Sequence, residues 1–153
     1  MILSGPRWSG KTHQAMRLAA ELQGRGVAVG GVVSPRVVVN GVTIGYQVQD
    51  LLTEELAPLC SLTPPGIRFR RFFFSPQGIA LGNRALARAA ERAQVAMVDE
   101  LGPLELTVGG FAPGLSRVRA ADIPMIITLR PELLEEVQDW LGLPEDVPTL
   151  LLA

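Results

Sequence analysis

Gly5-Pro6-Arg7-Trp8-Ser9-Gly10-Lys11-Thr12 fits G-x-x-x-x-G-K-[ST], the Walker A phosphate-binding pattern. Its flanks decide the fold. Ahead of it, the apolar run Met1-Ile2-Leu3 reads as a short buried strand; behind it, Thr12 to Leu22 reads as a helix. In a strand–loop–helix setting, backbone N–H groups of the loop and of the helix start converge on phosphate oxygens. The expected nucleotide-binding stretch is therefore Gly5, Pro6, Arg7, Trp8, Ser9, Gly10, Lys11, Thr12 and His13. Lys11 adds a point charge at the β- and γ-phosphates, and Thr12 offers a hydroxyl to Mg²⁺. Lys11 is the only lysine among 14 lysines and arginines, so a chain built on arginine keeps a compact ammonium at this position.

Outward from the loop, apolar strands alternate with helical runs. Gly24-Arg25-Gly26 stops the first helix, and Val27 to Val33 reads as a buried strand. Two β-branched runs around Asn40-Gly41 predict a hairpin near 36–48. A turn and short strand follow over Leu51 to Leu62, and Thr63-Pro64-Pro65-Gly66 is a loop. Ile67 to Phe74 reads as one strand with Arg68, Arg70 and Arg71 turned to solvent. Ser75-Pro76 opens a helix to about Arg92, with proline at the first helical position. Val95 to Val98 is a buried strand, Phe111 to Ala121 a helix, Pro124 to Thr128 a strand, Pro131 to Leu141 a helix and Val147 to Leu152 a last strand. This order predicts an α/β fold of three layers around a mainly parallel sheet, with core strands at 1–4, 27–33, 95–99, 124–129 and 147–152.

The bulk numbers agree. The 153 residues suit one domain, 1–153, and 48% hydrophobic against 19% charged residues describes a globular chain. A net charge of −1 argues against a broad grip on nucleic acid. The single cysteine, Cys60, fits a reducing compartment and reads as a core or loop residue rather than a nucleophile. The start Met1-Ile2-Leu3-Ser4-Gly5 lacks a basic segment and a long apolar one, and no run approaches a membrane span. The expectation is a cytoplasmic protein with no membrane partner; a homo-oligomer or protein partner is compatible with the sequence but not indicated by it.

Hydrolysis needs a metal-positioning acid and a group that orients water. Val95-Ala96-Met97-Val98-Asp99 is a Walker B pattern, delivering Asp99 at the carboxyl end of a strand, where α/β sheets bind ligands. Asp99 is the expected Mg²⁺ residue beside Thr12, and the adjacent Glu100 the expected general base. Phosphoryl transfer spreads charge over equatorial oxygens, which an arginine commonly meets. Arg130, after the strand that should flank the loop, is the candidate, with Arg36 and Arg7 as others; Thr128 is suitably placed to sense the γ-phosphate.

Val98-Asp99-Glu100-Leu101-Gly102-Pro103-Leu104-Glu105-Leu106 resembles the V-D-E-[IL]-G-[PK]-[ML]-E-L segment of a family of small nucleoside-triphosphatases, which includes thermophile members and the vertebrate cancer-related nucleoside-triphosphatase. A second block, Gly31-Val32-Val33-Ser34, Asn40-Gly41, Ile44-Gly45-Tyr46, Val48, Asp50-Leu51 and Thr53-Glu54, is similar to the same family's hairpin region. The resemblance implies slow, Mg²⁺-dependent hydrolysis of ATP, GTP, CTP and UTP to diphosphate and phosphate, carried by Lys11, Thr12, Asp99 and Glu100. Glu105 matches the motif too, as a brace for the loop after Glu100 or as a salt bridge or cap. Trp8 departs from the family by replacing a loop glycine, and His13 by replacing a hydroxyl residue.

Two alternatives share the loop and sheet: a nucleotide or small-metabolite kinase, and a nucleotide-binding adaptor with little hydrolysis. Glu100 separates the adaptor, which has no need of a general base. A guanine-reading Asn-Lys-x-Asp is excluded, since Lys11 is the sole lysine.

Overall fold

The computed structural model describes residues 1–107 and 109–153. Five strands are parallel and adjacent: β1 (Ile2–Ser4), β2 (Val29–Val33), β8 (Val95–Val98), β9 (Met125–Leu129) and β10 (Thr149–Leu151), in the order β10-β1-β9-β8-β2. These are the five predicted core strands, and β9 lies between the loop strand and the Asp-Glu strand.

Successive side chains of a strand point to opposite faces, so each buried strand feeds two cores. Ile2, Val32, Ala96, Val98 and Ile127 pack on one side; Leu3, Val33, Met97 and Ile126 pack on the other. The second face is covered by α1 (Lys11–Gly24) through Ala15 and Ala19. The first is covered by α2 (Pro76–Arg92), α4 (Ala112–Ala120) and α5 (Leu134–Leu141) through Leu81, Ala85, Leu86, Leu115, Val118 and Val137. A sheet buried on both faces reads as continuous apolar runs, which is why these strands were visible in the sequence. α2 also begins where the capping residues place it: the Ser75 hydroxyl accepts from the Gly78 N–H at 3.2 Å, and Pro76 stands in the first turn.

The hairpin forms from β3 (Arg36–Val39) and β4 (Val42–Asp50), with Asn40 at φ 48° and Gly41 at φ 76°. Two successive positive φ angles are what an Asn-Gly hairpin turn requires. The hairpin is also joined to the core sheet. β4 pairs antiparallel with β2 through Val32–Asp50 and Val33–Gln49, and β5 (Leu56–Ser61), β7 (Phe72–Phe74) and β6 (Ile67–Phe69) extend the same sheet.

The segment 67–74 corrects the sequence reading. It is a tight hairpin, β6 (Ile67–Phe69) and β7 (Phe72–Phe74), rather than one strand. Three-residue strands are too short for alternation to register, and the turn holds Arg70 at φ 56°, without the glycine or asparagine that marks such turns. Likewise 131–141 splits into a 3₁₀ turn, Pro131–Leu133, and α5. The five-residue helix α3 (Pro103–Thr107) inside the Asp-Glu segment had no separate signal. Among the described residues, no helix is long and apolar enough to cross a membrane.

Candidate functional site

Because the core strands are parallel, their carboxyl ends share one edge. Gly5 leaves β1 there, Ser34 leaves β2, Asp99 leaves β8 and Arg130 leaves β9. The crevice at such an edge is where open α/β sheets bind ligands.

The loop Gly5–Gly10 folds back on itself, with the Ser9 N–H donating to the Pro6 carbonyl at 3.3 Å. Gly10 stands at φ 84° as the residue before α1, and no side chain caps that helix. Its first N–H groups thus remain open at the positive end of the helix dipole. Trp8, where the resembling family carries glycine, sits at φ 64°. A left-handed conformation at a bulky residue costs on the order of 1 kcal/mol, so the departure from glycine falls at a position that favours it. The indole is 73% exposed and reaches out over the rim, with the Arg36 guanidinium 6.0 Å from its ring.

The Lys11 side chain is 3% exposed. Its ammonium donates to the Pro6 carbonyl at 2.9 Å and lies 3.6 Å from Glu100 Oε1. Lys11, Thr12, His13, Arg7, Arg36 and Arg130 border a cavity of about 330 Å³ in which, among the described residues, Glu100 is the only carboxylate lining the wall. Such a wall favours a polyanion.

Asp99 is 1% exposed and carries no ion pair among the described residues. Thr128 Oγ1 donates to its Oδ1 at 2.6 Å, and the Ser34 N–H donates to its Oδ2 at 3.0 Å. Burial raises the Asp99 pKa above the usual 3.8, and the bonds from Thr128, Ser34 and the Thr12 hydroxyl offset part of that rise. A buried carboxylate facing a hydroxyl, with no protein cation paired to it, is an oxygen donor set suited to a hard divalent cation. Thr12 and Asp99 therefore fit Mg²⁺.

The raised pKa has a consequence for stability. Below pH 3.8 both folded and unfolded chains are protonated at Asp99, and ionisation costs the fold nothing. Above it the unfolded chain ionises first, so stability falls as pH rises from 3.8 toward the folded value. Asp99→Asn removes the charge and keeps the shape, with Thr128 free to accept from the new amide. The variant is expected to melt above wild type at neutral pH, with the gap closing toward pH 4, and a rise in melting temperature on adding Mg²⁺ is expected for wild type but not for the variant. Calorimetry across pH, with and without Mg²⁺, checks both.

The chain reverses direction after Asp99 because Glu100 adopts φ 58°. The Thr128 hydroxyl holds this strained residue by accepting its N–H at 2.7 Å. One threonine thus fixes both carboxylates: Asp99 inward, Glu100 into the cavity. This differs from the γ-phosphate-sensing position expected for Thr128, whose side chain is fully buried. Glu105 is a brace: it accepts from the Gly102 N–H at 3.1 Å and the Phe111 N–H at 3.3 Å. Burial raises its pKa while those two N–H bonds oppose the shift.

Ser34 and Tyr46 were not singled out as site residues. Tyr46 borders the cavity from β4, and burial, then the charge of Glu100, push its phenol pKa up, keeping it a proton donor. Both lie in the block similar to the nucleoside-triphosphatases, which was the available signal. Cys60 is buried, and burial pushes its thiol up to about 11, which excludes a thiolate nucleophile at neutral pH.

The family model described as NTPase matches residues 1–147. The chain is 34% identical over 130 residues to nucleoside-triphosphatase THEP1 of Thermofilum pendens, covering 84% of this chain and 71% of that protein. It is 28% identical over 144 residues to nucleoside-triphosphatase THEP1 of Methanothermobacter thermautotrophicus, covering 90% and 80%. Among solved structures, a human cancer-related nucleoside triphosphatase superposes with a TM-score of 0.74 at 24% identity, over 100% of this chain and 88% of that one. THEP1 from Aquifex aeolicus superposes at 0.76 with 16% identity, over 99% and 87%. These two likenesses bear on the fold: the three-layer α/β sandwich is theirs as well.

Proposed function

The chain belongs to this NTPase family, and on that premise we propose that it hydrolyses nucleoside 5′-triphosphates to diphosphate and phosphate as a single catalytic domain. The observation that carries the reading is the convergence, at one sheet edge, of an uncapped helix start with Lys11, a buried unpaired Asp99 and a cavity-facing Glu100.

The loop from Gly5 to His13 holds the phosphates through backbone N–H groups, and Lys11 neutralises the β- and γ-oxygens. Thr12 and Asp99 would hold Mg²⁺, which when bound supplies charge neutralisation for the phosphate oxygens. Glu100 takes the proton of the attacking water. The water oxygen forms the new P–O bond, the β–γ bridging bond breaks, and its electrons leave on the diphosphate. Arg130 borders the cavity and meets the equatorial charge; Arg7 and Arg36 also border it. No patterned base pocket is needed, so turnover of ATP, GTP, CTP and UTP should be comparable.

Phosphate release from the four triphosphates, with Mg²⁺ and with EDTA, tests the proposal. Release from several nucleotides that stops with EDTA supports it; tight binding without release overturns it in favour of a binding adaptor. Thr128→Val provides a finer check. It deletes the bond to Asp99 and the bond to the Glu100 N–H while keeping the shape. Losing such an orienting partner commonly costs 10–100-fold, and the loss should fall on kcat with KM little changed.

A further inference from the structure

A second cavity, of about 350 Å³, opens on the far side of Glu100 and shares Arg7, Tyr46, Glu100 and Arg130 with the first. Its body is apolar: Leu59, Phe69, Phe72, Phe74, Leu104 and Phe111, contributed by β5, the 67–74 hairpin and the segment after Glu100. The mouth is cationic. The Arg70 guanidinium lies 5.7 Å from the centre of the Phe69 ring and that of Arg71 4.8 Å from the centre of the Phe72 ring. Neither forms an ion pair among the described residues. The only acids on the wall are occupied: Glu100 lies near Lys11, and Glu105 accepts from Gly102 and Phe111. Four arginines, Arg7, Arg70, Arg71 and Arg130, therefore line this apolar chamber against two carboxylates, Glu100 and Glu105.

We propose that this cavity is a second ligand site, for a small anionic amphiphile with an aromatic or aliphatic body and an acidic group. The acidic group pairs with Arg70 and Arg71 and the body fills the phenylalanine-lined chamber. The volume matches a small organic molecule and is too small for a protein segment. Its place follows from the shared wall: an occupant stands beside Glu100 and controls whether water reaches it. The site thus regulates the phosphoryl step from beside the nucleotide cavity, with Arg7 of the phosphate loop in the wall of both. Only this kinetic part rests on the proposed hydrolysis; ligand binding does not.

The test uses 8-anilinonaphthalene-1-sulfonate and its sulfonate-free parent, N-phenyl-1-naphthylamine, followed by fluorescence on the full chain. Wild type is expected to bind the sulfonate saturably at one site. Arg70→Gln/Arg71→Gln, both exposed positions, should weaken it roughly tenfold or more, as loss of charge-assisted hydrogen bonds does, and leave the neutral parent unchanged. Bound sulfonate should lower kcat for phosphate release without displacing a fluorescent ATP analogue. Equal binding by wild type and the double variant overturns the proposal, as does displacement of the nucleotide or an unchanged kcat. If wild type releases no phosphate at all, the hydrolysis reading fails, while the comparison of the two dyes still decides whether the site exists.

Discussion

Glu100→Gln is expected to lower phosphate release by roughly 10²–10⁴-fold, the span a positioned general base contributes. Glutamine keeps the size of the side chain and its φ of 58° is held by the same Thr128 bond, so the backbone has no reason to move. What disappears is the group that accepts the water proton. Nucleotide binding should survive and tighten slightly, because Lys11 loses the carboxylate 3.6 Å away that competes with phosphate for its ammonium. The prediction is therefore two-sided: kcat collapses and the dissociation constant for the triphosphate stays equal or falls. Single-turnover phosphate release together with equilibrium titration reads both. A variant that retains turnover would remove Glu100 from the chemistry, and one that loses binding would make it a structural partner of Lys11.

The second large effect is on stability and sits away from the chemistry. Asp50, at the end of β4, is fully buried and forms an ion pair with Arg88 of α2. Its other oxygen accepts the N–H groups of Leu52 at 2.8 Å and Thr53 at 3.3 Å. The carboxylate thus ties the turn after β4 to a helix on the sheet face. Arg88→Met strands a buried charge and should cost about 3 kcal/mol. For a domain of this size that lowers the melting temperature by roughly 6–12 °C. Asp50→Ala should cost more, because two turn N–H groups lose their acceptor as well. In Asp50→Ala/Arg88→Met the losses should not add, since the second change removes the guanidinium left unpaired by the first. Thermal melts of the three variants decide it; additive losses would mean that the two residues act independently.

Asp50 also shows that a family-like residue can be architectural. It belongs to the block similar to the nucleoside-triphosphatases, yet its contacts are those of an architectural brace. Glu105 braces the loop after Glu100, one of the roles read for it from its motif, whereas Thr128, read as a phosphate sensor, is bonded to Asp99 and to the Glu100 N–H.

Local chemistry determined much of this protein in the sequence itself. Strands buried on both faces appear as unbroken apolar runs, so β1, β2, β8 and β9 were legible, and the exposed edge strand β10 was legible from its own apolar run. The Asn40-Gly41 turn, the Ser75-Pro76 helix start and the loop from Gly5 to Thr12 each depend on residues adjacent in the chain, and each was found where expected. Tertiary structure alone decided what depends on residues far apart. Nothing near Phe69 to Phe74 signals a turn at Arg70, whose left-handed backbone closes the pairing of Phe69 with Phe72. Nor does any local pattern tell that Thr128 reaches across 29 positions to Asp99, or that Ser34 donates to the same carboxylate from 65 positions away. Those bonds exist because parallel strands bring their carboxyl ends to one edge, and the order in which strands pair is a property of the whole sheet rather than of any segment within it.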